Sequence, residues 1–98
     1  MKIEKIQNGG DVTLKLIGCL DTASAGDFSA ALDNAADAKE LVIDMARLDF
    51  IASSGLRSLV AAHKRAVQAG NSITLVNMNE VVSDVFDVTG LSGVFTVK

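Results

Sequence analysis

Two hydrophobic patterns alternate along the second half of this chain, and the alternation limits the folds that it can adopt. Residues 41–45 and 73–76 are short aliphatic runs, which are typical of buried strands. Between them, side chains suited to a packed helix face recur at helical spacing, at Leu56, Leu59, Val60, His63 and Val67. Because strands that alternate with helices form mostly parallel sheets with right-handed crossovers, this pattern predicts an α/β fold.

The beginning of the chain adds an antiparallel pair of strands. Residues 2–6 alternate in a strand-compatible way, and Val12, Leu14 and Leu16 alternate with polar residues after them. Between the two segments, residues 8–11 read Asn-Gly-Gly-Asp, which are residues that tolerate the positive φ of a hairpin turn. The sequence therefore predicts an N-terminal antiparallel hairpin.

Capping residues mark the ends of the predicted helices. Thr22 can cap the first helix, Gly70 can end the second, and Asn79 and Gly90 can bound a short third helix before a last strand at residues 94–97. The predicted order is β-β-α-β-α-β-α-β. It corresponds to a mixed, mostly parallel sheet of about five strands with helices packed on it.

Length, charge and cysteine content narrow the class of protein. The 98 residues predict one domain over residues 1–98, and the net charge of −3 argues against a surface for nucleic-acid phosphates. The single Cys19 excludes an internal disulfide and a Cys-based zinc site, and we interpret it as a small core or strand residue. Because no apolar stretch could span a bilayer and no signal-peptide pattern is present, we expect a cytoplasmic protein without membrane insertion. The charge argues for protein partners, so we expect no direct nucleic-acid contact. No phosphate-binding glycine-rich loop is present, and we expect no cofactor.

Residues 49–57 are the most informative segment, and they read Asp-Phe-Ile-Ala-Ser-Ser-Gly-Leu-Arg. They lie between a predicted central strand and the long helix. Ser53 and Ser54 fall where backbone N–H groups at a helix start have no intrahelical acceptor, so one hydroxyl could cap the helix. The same donors and the helix dipole could hold a phosphate on the other hydroxyl. The alternative is that both serines only cap the helix and shape the turn.

Four blocks of this sequence, in this order, resemble the STAS domain of bacterial anti-sigma factor antagonists. They are residues 16–21, 41–44, 49–57 and 85–91. The resemblance spans essentially the whole chain, and it implies a STAS-like fold and a regulated binding protein rather than an enzyme. It also implies two partners, an anti-sigma factor serine kinase and a metal-dependent serine phosphatase.

The resemblance further assigns roles to individual residues. It implies that the kinase phosphorylates Ser53, with Ser54 as the second candidate, and that only the unphosphorylated protein binds the kinase and so releases sigma factor. Ala52 stands where many members have Asp. The residues that the resemblance implies as partner contacts are Asp21, Ser54, Gly55, Leu56 and Arg57.

Other interpretations of the sequence lead to different functions. A STAS domain could also be an accessory subunit of a lipid-exporting ABC transporter or part of a signalling scaffold. A serine hydrolase would need a base, but His63 lies roughly 12 to 15 Å along the same helix, and we interpret it as a packing residue. Asp44 and Asp49 bracket the predicted end of the central strand, where they could bind magnesium or simply end the strand.

Overall fold

The computed structural model describes residues 1–98, in which strands and helices alternate along the chain. The elements are β1 (Lys2–Asn8), β2 (Asp11–Leu20), α1 (Ala25–Asn34), β3 (Glu40–Ile51), α2 (Ser53–Ala69), β4 (Ser72–Val76), α3 (Glu80–Thr89), a 3₁₀ turn (Leu91–Gly93) and β5 (Thr96–Val97). None of the helices is both long enough and apolar enough to cross a membrane.

The five strands form one sheet in the order β1-β2-β3-β4-β5. β1 and β2 pair antiparallel, and every other neighbouring pair is parallel. This arrangement confirms the predicted mixed sheet with an N-terminal hairpin. The hairpin turn contains Gly9, whose φ of 64° is a left-handed conformation that favours glycine.

One cluster of buried side chains joins the sheet to the helices. Alternate residues of β2, such as Leu14 and Leu16, are buried, because successive side chains of a strand point to opposite faces. Phe28 of α1, Leu59 of α2 and Phe86 of α3 are fully buried in the same cluster. Each such side chain contributes about 1.5 to 3 kcal/mol by leaving water, so burial against the sheet holds the three helices in place.

The ends of α2 and α3 match the sequence prediction. Gly70 and Gly90 both adopt the left-handed conformation, with φ of 76°, where the two helices stop. The Asn79 side chain accepts a hydrogen bond from the Val82 N–H at 2.8 Å and so caps α3. The last strand is shorter than predicted, because Val94 and Phe95 form a turn and a bend after the 3₁₀ turn and β5 begins only at Thr96.

The central strand β3 is longer than the sequence suggested. It continues beyond the aliphatic run as far as Ile51, and its pairing with β2 is irregular at two places. At each place β3 contains one extra residue. At the first, Lys15 pairs with Asp44 and Ile17 with Arg47, so one residue of β2 between the two pairs lies opposite two residues of β3. These bulges interrupt the period-two pattern on which the prediction relied. The prediction that Asp44 and Asp49 bracket the strand end is wrong, because both lie inside β3.

Candidate functional site

The candidate site forms where the carboxyl ends of β2 and β3 meet the start of α2. Leu20 and Ile51, the last residues of the two parallel strands, are paired in register. The Ala52 N–H then donates to the Leu20 carbonyl oxygen at 2.7 Å, which fixes the turn into the helix. The sheet thereby brings the residues after β2 beside the residues that begin α2.

The two serines differ in exposure at this turn. Ala52 is the N-cap of α2, and its carbonyl oxygen accepts from the Leu56 N–H at 3.1 Å. Neither serine hydroxyl caps the helix, so that prediction is wrong. Ser53 is exposed, whereas the Ser54 Oγ is buried and makes no hydrogen bond within the protein. Of the two serine hydroxyls, only that of Ser53 is therefore accessible to another protein.

Gly55 is present because the start of α2 packs very closely on the sheet. A Cβ atom at this position would lie 2.6 Å from Leu20 Cγ and 3.3 Å from Ile51 Cγ1. Leu20 is itself fully buried and cannot swing into solvent.

Gly55 and Leu56 are buried, while Arg57 is exposed. Of the residues implied as partner contacts, the exposed ones are Arg57 and Asp21.

Asp21 organises the neighbouring turn into α1. Its carboxylate accepts from the Ser24 N–H at 3.0 Å, while the Ser24 Oγ accepts from the Asp21 N–H at 2.9 Å. This reciprocal pair resembles a capping box, and it replaces the predicted cap at Thr22. The hydrogen bond from the Ser24 backbone, followed by that from the Ser24 hydroxyl, lowers the pKa of Asp21 below its usual value of 3.8.

Comparison with known proteins identifies the family. The model of the STAS domain family matches residues 2–98. The chain belongs to this family. It is 30% identical to BtrV of Bordetella bronchiseptica, which is named as an anti-sigma factor antagonist, over 99% of this chain and 85% of that protein. It is 26% identical to the anti-sigma-B factor antagonist of Bacillus subtilis, over 100% of this chain and 91% of that protein.

Solved structures show the same fold. The anti-sigma factor antagonist SpoIIAA in its unphosphorylated form matches with a TM-score of 0.86 and 20% identity, over 99% of this chain and 88% of that one. The phosphorylated form of the Bacillus SpoIIAA matches with a TM-score of 0.78 and 19% identity, over 99% of this chain and 91% of that one. These matches confirm the STAS-like fold expected from the sequence.

The surface beside Ser53 contains an open groove in this STAS domain. We define the α2 groove by the residues that line it, which are Ser53, Leu56, Arg57, Val60, Ala61, Lys64, Thr89 and Leu91. One wall is α2, and the other is formed by the end of α3 and the 3₁₀ turn that follows it. The sequence did not reveal this groove, because strand β4 and most of α3 separate its two walls along the chain.

The other polar candidates of this STAS domain lie apart or have structural partners. His63 is half-buried, and its ring packs edge-on against Phe95 with the ring centroids 4.8 Å apart, as a packing residue would. The Asp44 carboxylate accepts from the Ala46 N–H at 3.0 Å and from Asn77 Nδ2 at 3.2 Å. No three His, Cys, Asp or Glu side chains converge as metal ligands.

Cys19 lies in β2, as predicted, but it is exposed rather than part of the core. The reason is the alternation of the strand, which buries Leu20 and turns its neighbour outward.

The low pKa of Asp21 predicts a pH dependence of stability. A carboxylate whose pKa is lowered on folding stabilises the protein above its unfolded pKa, here the usual value of 3.8, and this contribution is lost as the pH falls through the lower folded pKa. Asn can also cap a helix but does not titrate. We therefore expect the stability difference between wild type and Asp21→Asn to shrink below about pH 4, as measured by urea unfolding. Asp37→Asn is the control, because it removes the same charge but no such hydrogen bond. If the stability difference between wild type and Asp37→Asn shrank equally at low pH, this explanation would be contradicted.

Proposed function

We propose that this STAS domain is an anti-sigma factor antagonist controlled by reversible phosphorylation of Ser53. In its unphosphorylated form it binds a serine kinase that acts as an anti-sigma factor, and sigma factor is released. Support comes from the relatives, which carry the name anti-sigma factor antagonist, and from SpoIIAA, which has been solved in an unphosphorylated and a phosphorylated form. A metal-dependent serine phosphatase restores the binding form, and the proposed compartment is the cytoplasm.

The observation that carries the proposal is the contrast between the two serines. Ser53 is exposed at the first position of α2, so a kinase can reach its hydroxyl. The Ser54 Oγ is buried and could be phosphorylated only if the helix start opened. The contrast supports Ser53 as the modified residue and Ser54 as part of the packing beneath it.

The local backbone explains how the fold could tolerate a phosphate. The first N–H groups of a helix have no intrahelical acceptor, and at α2 no side chain caps them. These donors and the positive end of the helix dipole favour an anion at Ser53. The phosphate adds about −1.5 to −2 charge to the surface. In this proposal it changes what the surface can bind and leaves the fold intact.

The geometry also favours a phosphorylated substrate over an enzyme. A nucleophilic serine needs a base within hydrogen-bond reach. His63 follows Ser53 by ten residues on the same helix, which places it about 15 Å along the axis. Its ring also packs edge-on against Phe95 and not towards Ser53. Ser53 therefore receives a phosphate from a partner in this proposal, and the chain itself performs no catalysis.

The proposal predicts one phosphate at one residue. Incubation with ATP and each candidate serine kinase of the same genome, followed by mass spectrometry, should add a single phosphate to wild type. Ser53→Ala should take up none. Ser54→Ala is the matched control. It should be phosphorylated like wild type, because the buried Ser54 hydroxyl that it removes is not the phosphate acceptor.

Two outcomes would contradict the proposal. Phosphate uptake by Ser53→Ala, lost in Ser54→Ala, would show that the wrong serine was assigned. An absence of phosphorylation with every candidate kinase would favour an unmodified accessory or scaffold subunit instead. Binding provides the second measurement, since the kinase should bind unphosphorylated wild type and lose affinity for the phosphorylated protein.

A further inference from the structure

The two edges of the sheet differ in how open they are to another strand. β5 contains two residues, whereas β1 contains seven and pairs with β2 without a bulge. Short length, proline, bulges and charged side chains commonly keep an edge strand from pairing with another chain. Of these features, β1 has only the charged side chains. It therefore presents a regular row of backbone groups to solvent.

The hairpin turn determines which backbone groups of β1 are free. Residues 9–10 form a two-residue turn, so Asn8 and Asp11 on either side of it are joined by the hydrogen bond of the turn. Hydrogen-bonded and non-bonded pairs then alternate along the antiparallel strands. The N–H and C=O groups of Ile3 and Lys5 consequently point away from β2 and can pair with a further strand.

Symmetry limits how a second copy of the chain could pair with this edge. A two-fold axis between antiparallel β1 strands is perpendicular to the sheet, and it keeps the helices of both copies on the same side. Because facing residues point to the same side of a sheet, one residue of β1 must then lie opposite itself. The residues near the middle of the strand that could occupy this position are Ile3, Glu4, Lys5 and Ile6.

Charge distinguishes between these four registers. A centre at Glu4 or Lys5 places that residue opposite its own copy, and directly opposed like charges are destabilising. A centre at Ile6 brings no opposite charges together. With Ile3 at the centre, Lys2 lies opposite Glu4 of the second copy and Glu4 opposite Lys2. The charges that would protect the edge in the other registers favour pairing in this one.

We propose from these observations that β1 pairs with β1 of a second copy of this chain, antiparallel and centred on Ile3. Lys2 Nζ and Glu4 Oε1 are 3.7 Å apart within one copy, so the pairing completes an alternating ring of lysines and glutamates. Ile3 lies on the other face, half-buried in a groove that it lines with Met1, Leu14 and alanines of α1. The axis joins the grooves of the two copies, and their apolar surfaces cover each other.

This interface is separate from the candidate site. The serine turn follows β3, and β2 lies between β1 and β3 in the sheet. A dimer through β1 therefore leaves Ser53 of each copy accessible, and the inference does not depend on the proposed switch.

The first experiment measures self-association of the whole chain by analytical ultracentrifugation. Because one pair of short strands forms a small interface, we expect a weak dimer with a Kd of roughly 0.1 mM. Lys2→Glu and Glu4→Lys should each weaken association about tenfold, since each places like charges opposite each other twice in the symmetric interface. The double variant Lys2→Glu with Glu4→Lys should restore the affinity of wild type.

Lys98→Glu is the matched control for charge. It makes the same change as Lys2→Glu but follows β5 at the opposite edge of the sheet, so it should associate like wild type. Wild type that stays monomeric at about 1 mM, ten times the expected Kd, would overturn the proposal. A double variant that associates no more tightly than the single variants would do so as well.

The second experiment tests the register in a Cys19→Ser background, which contains no other thiol. Ile3→Cys should form an intermolecular disulfide under mild oxidation, because the Cα atoms of facing residues are about 5.5 Å apart, within disulfide range. Ile6→Cys is the control, since the two copies of residue 6 would be six residues apart along the strands, about 20 Å. Cross-linking of Ile6→Cys in preference to Ile3→Cys, or equal cross-linking of both, would overturn the proposed pairing.

Discussion

Gly55→Ala is expected to destabilise the protein, although alanine is the better helix former. The added Cβ would lie 2.6 Å from Leu20 Cγ, inside the core. Overpacking of this kind costs about 1 to 3 kcal/mol, against a gain of at most about 1 kcal/mol in helix propensity. We expect a net loss of about 1 to 2 kcal/mol, out of a stability of about 5 to 15 kcal/mol for a domain. Urea unfolding measures the change.

Two further variants test the reason for this loss. Gly26 lies in α1, where a Cβ would meet nothing within 4 Å, so Gly26→Ala should be neutral or stabilising. Leu20→Ala alone should cost about 2 to 5 kcal/mol, but in its background Gly55→Ala should no longer be harmful. If Gly55→Ala destabilised both backgrounds equally, the contact with Leu20 could not be its cause.

The close packing at Gly55 also bears on how the serine turn is built. The Ala52 N–H bond to the Leu20 carbonyl and the contact of Gly55 with the Leu20 side chain hold the helix start against the sheet from two sides. Ser54 faces the protein and Ser53 faces solvent as a result. The residue pattern Ser-Ser-Gly can thus be explained by one exposed hydroxyl, one buried position and one position without room for a side chain.

The order of elements was predictable because it depends on local patterns. Gly70 and Gly90 have the left-handed φ at which helices end, and Asn79 caps α3 as expected. Continuous aliphatic runs indicated the buried strands at residues 41–45 and 73–76. These features depend on neighbouring residues only, so the sequence is sufficient to show them.

The errors arose where distant contacts override local preference. The bulges of β3 are defined by its pairing with β2, and no residue within β3 indicates them. The cap before α1 is a local exception, because Asp21 and Ser24 are three residues apart and bond each other in preference to Thr22. At the start of α2, Ala52 occupies the cap position because its N–H bonds Leu20, which places Ser53 one residue and Ser54 two residues beyond the cap.

The candidate site was predictable only in part for the same reason. The family resemblance pointed to Ser53 and its neighbours. Sequence spacing, however, does not show that the first serine is exposed while the hydroxyl of the next residue, Ser54, is buried. That difference follows from which face of α2 packs on Leu20. The second wall of the α2 groove, at Thr89 and Leu91, comes from a part of the chain that no local pattern connects with Ser53.

Phe86→Ala is expected to have the largest effect on stability. Phe86 is fully buried in α3, and its ring contacts Phe95 edge-on at 6.1 Å between centroids. Removing a buried aromatic ring costs about 3 to 5 kcal/mol, which corresponds to a loss of more than about 12 °C in melting temperature for a domain of this size. Val88→Ala on the same helix is the control, and it should change little because Val88 is 87% exposed.

The same substitution tests whether the aromatic cluster supports the second wall of the α2 groove. Phe95 packs against both Phe86 and His63, and its N–H donates to the Leu91 carbonyl oxygen at 3.3 Å. Without the Phe86 ring, the segment that carries Leu91 loses its support against α2. Below the melting temperature, amide hydrogen exchange should therefore accelerate at Phe95 more than in β2. Equal acceleration throughout the chain would show that Phe86 stabilises the fold as a whole and has no particular role in holding the groove.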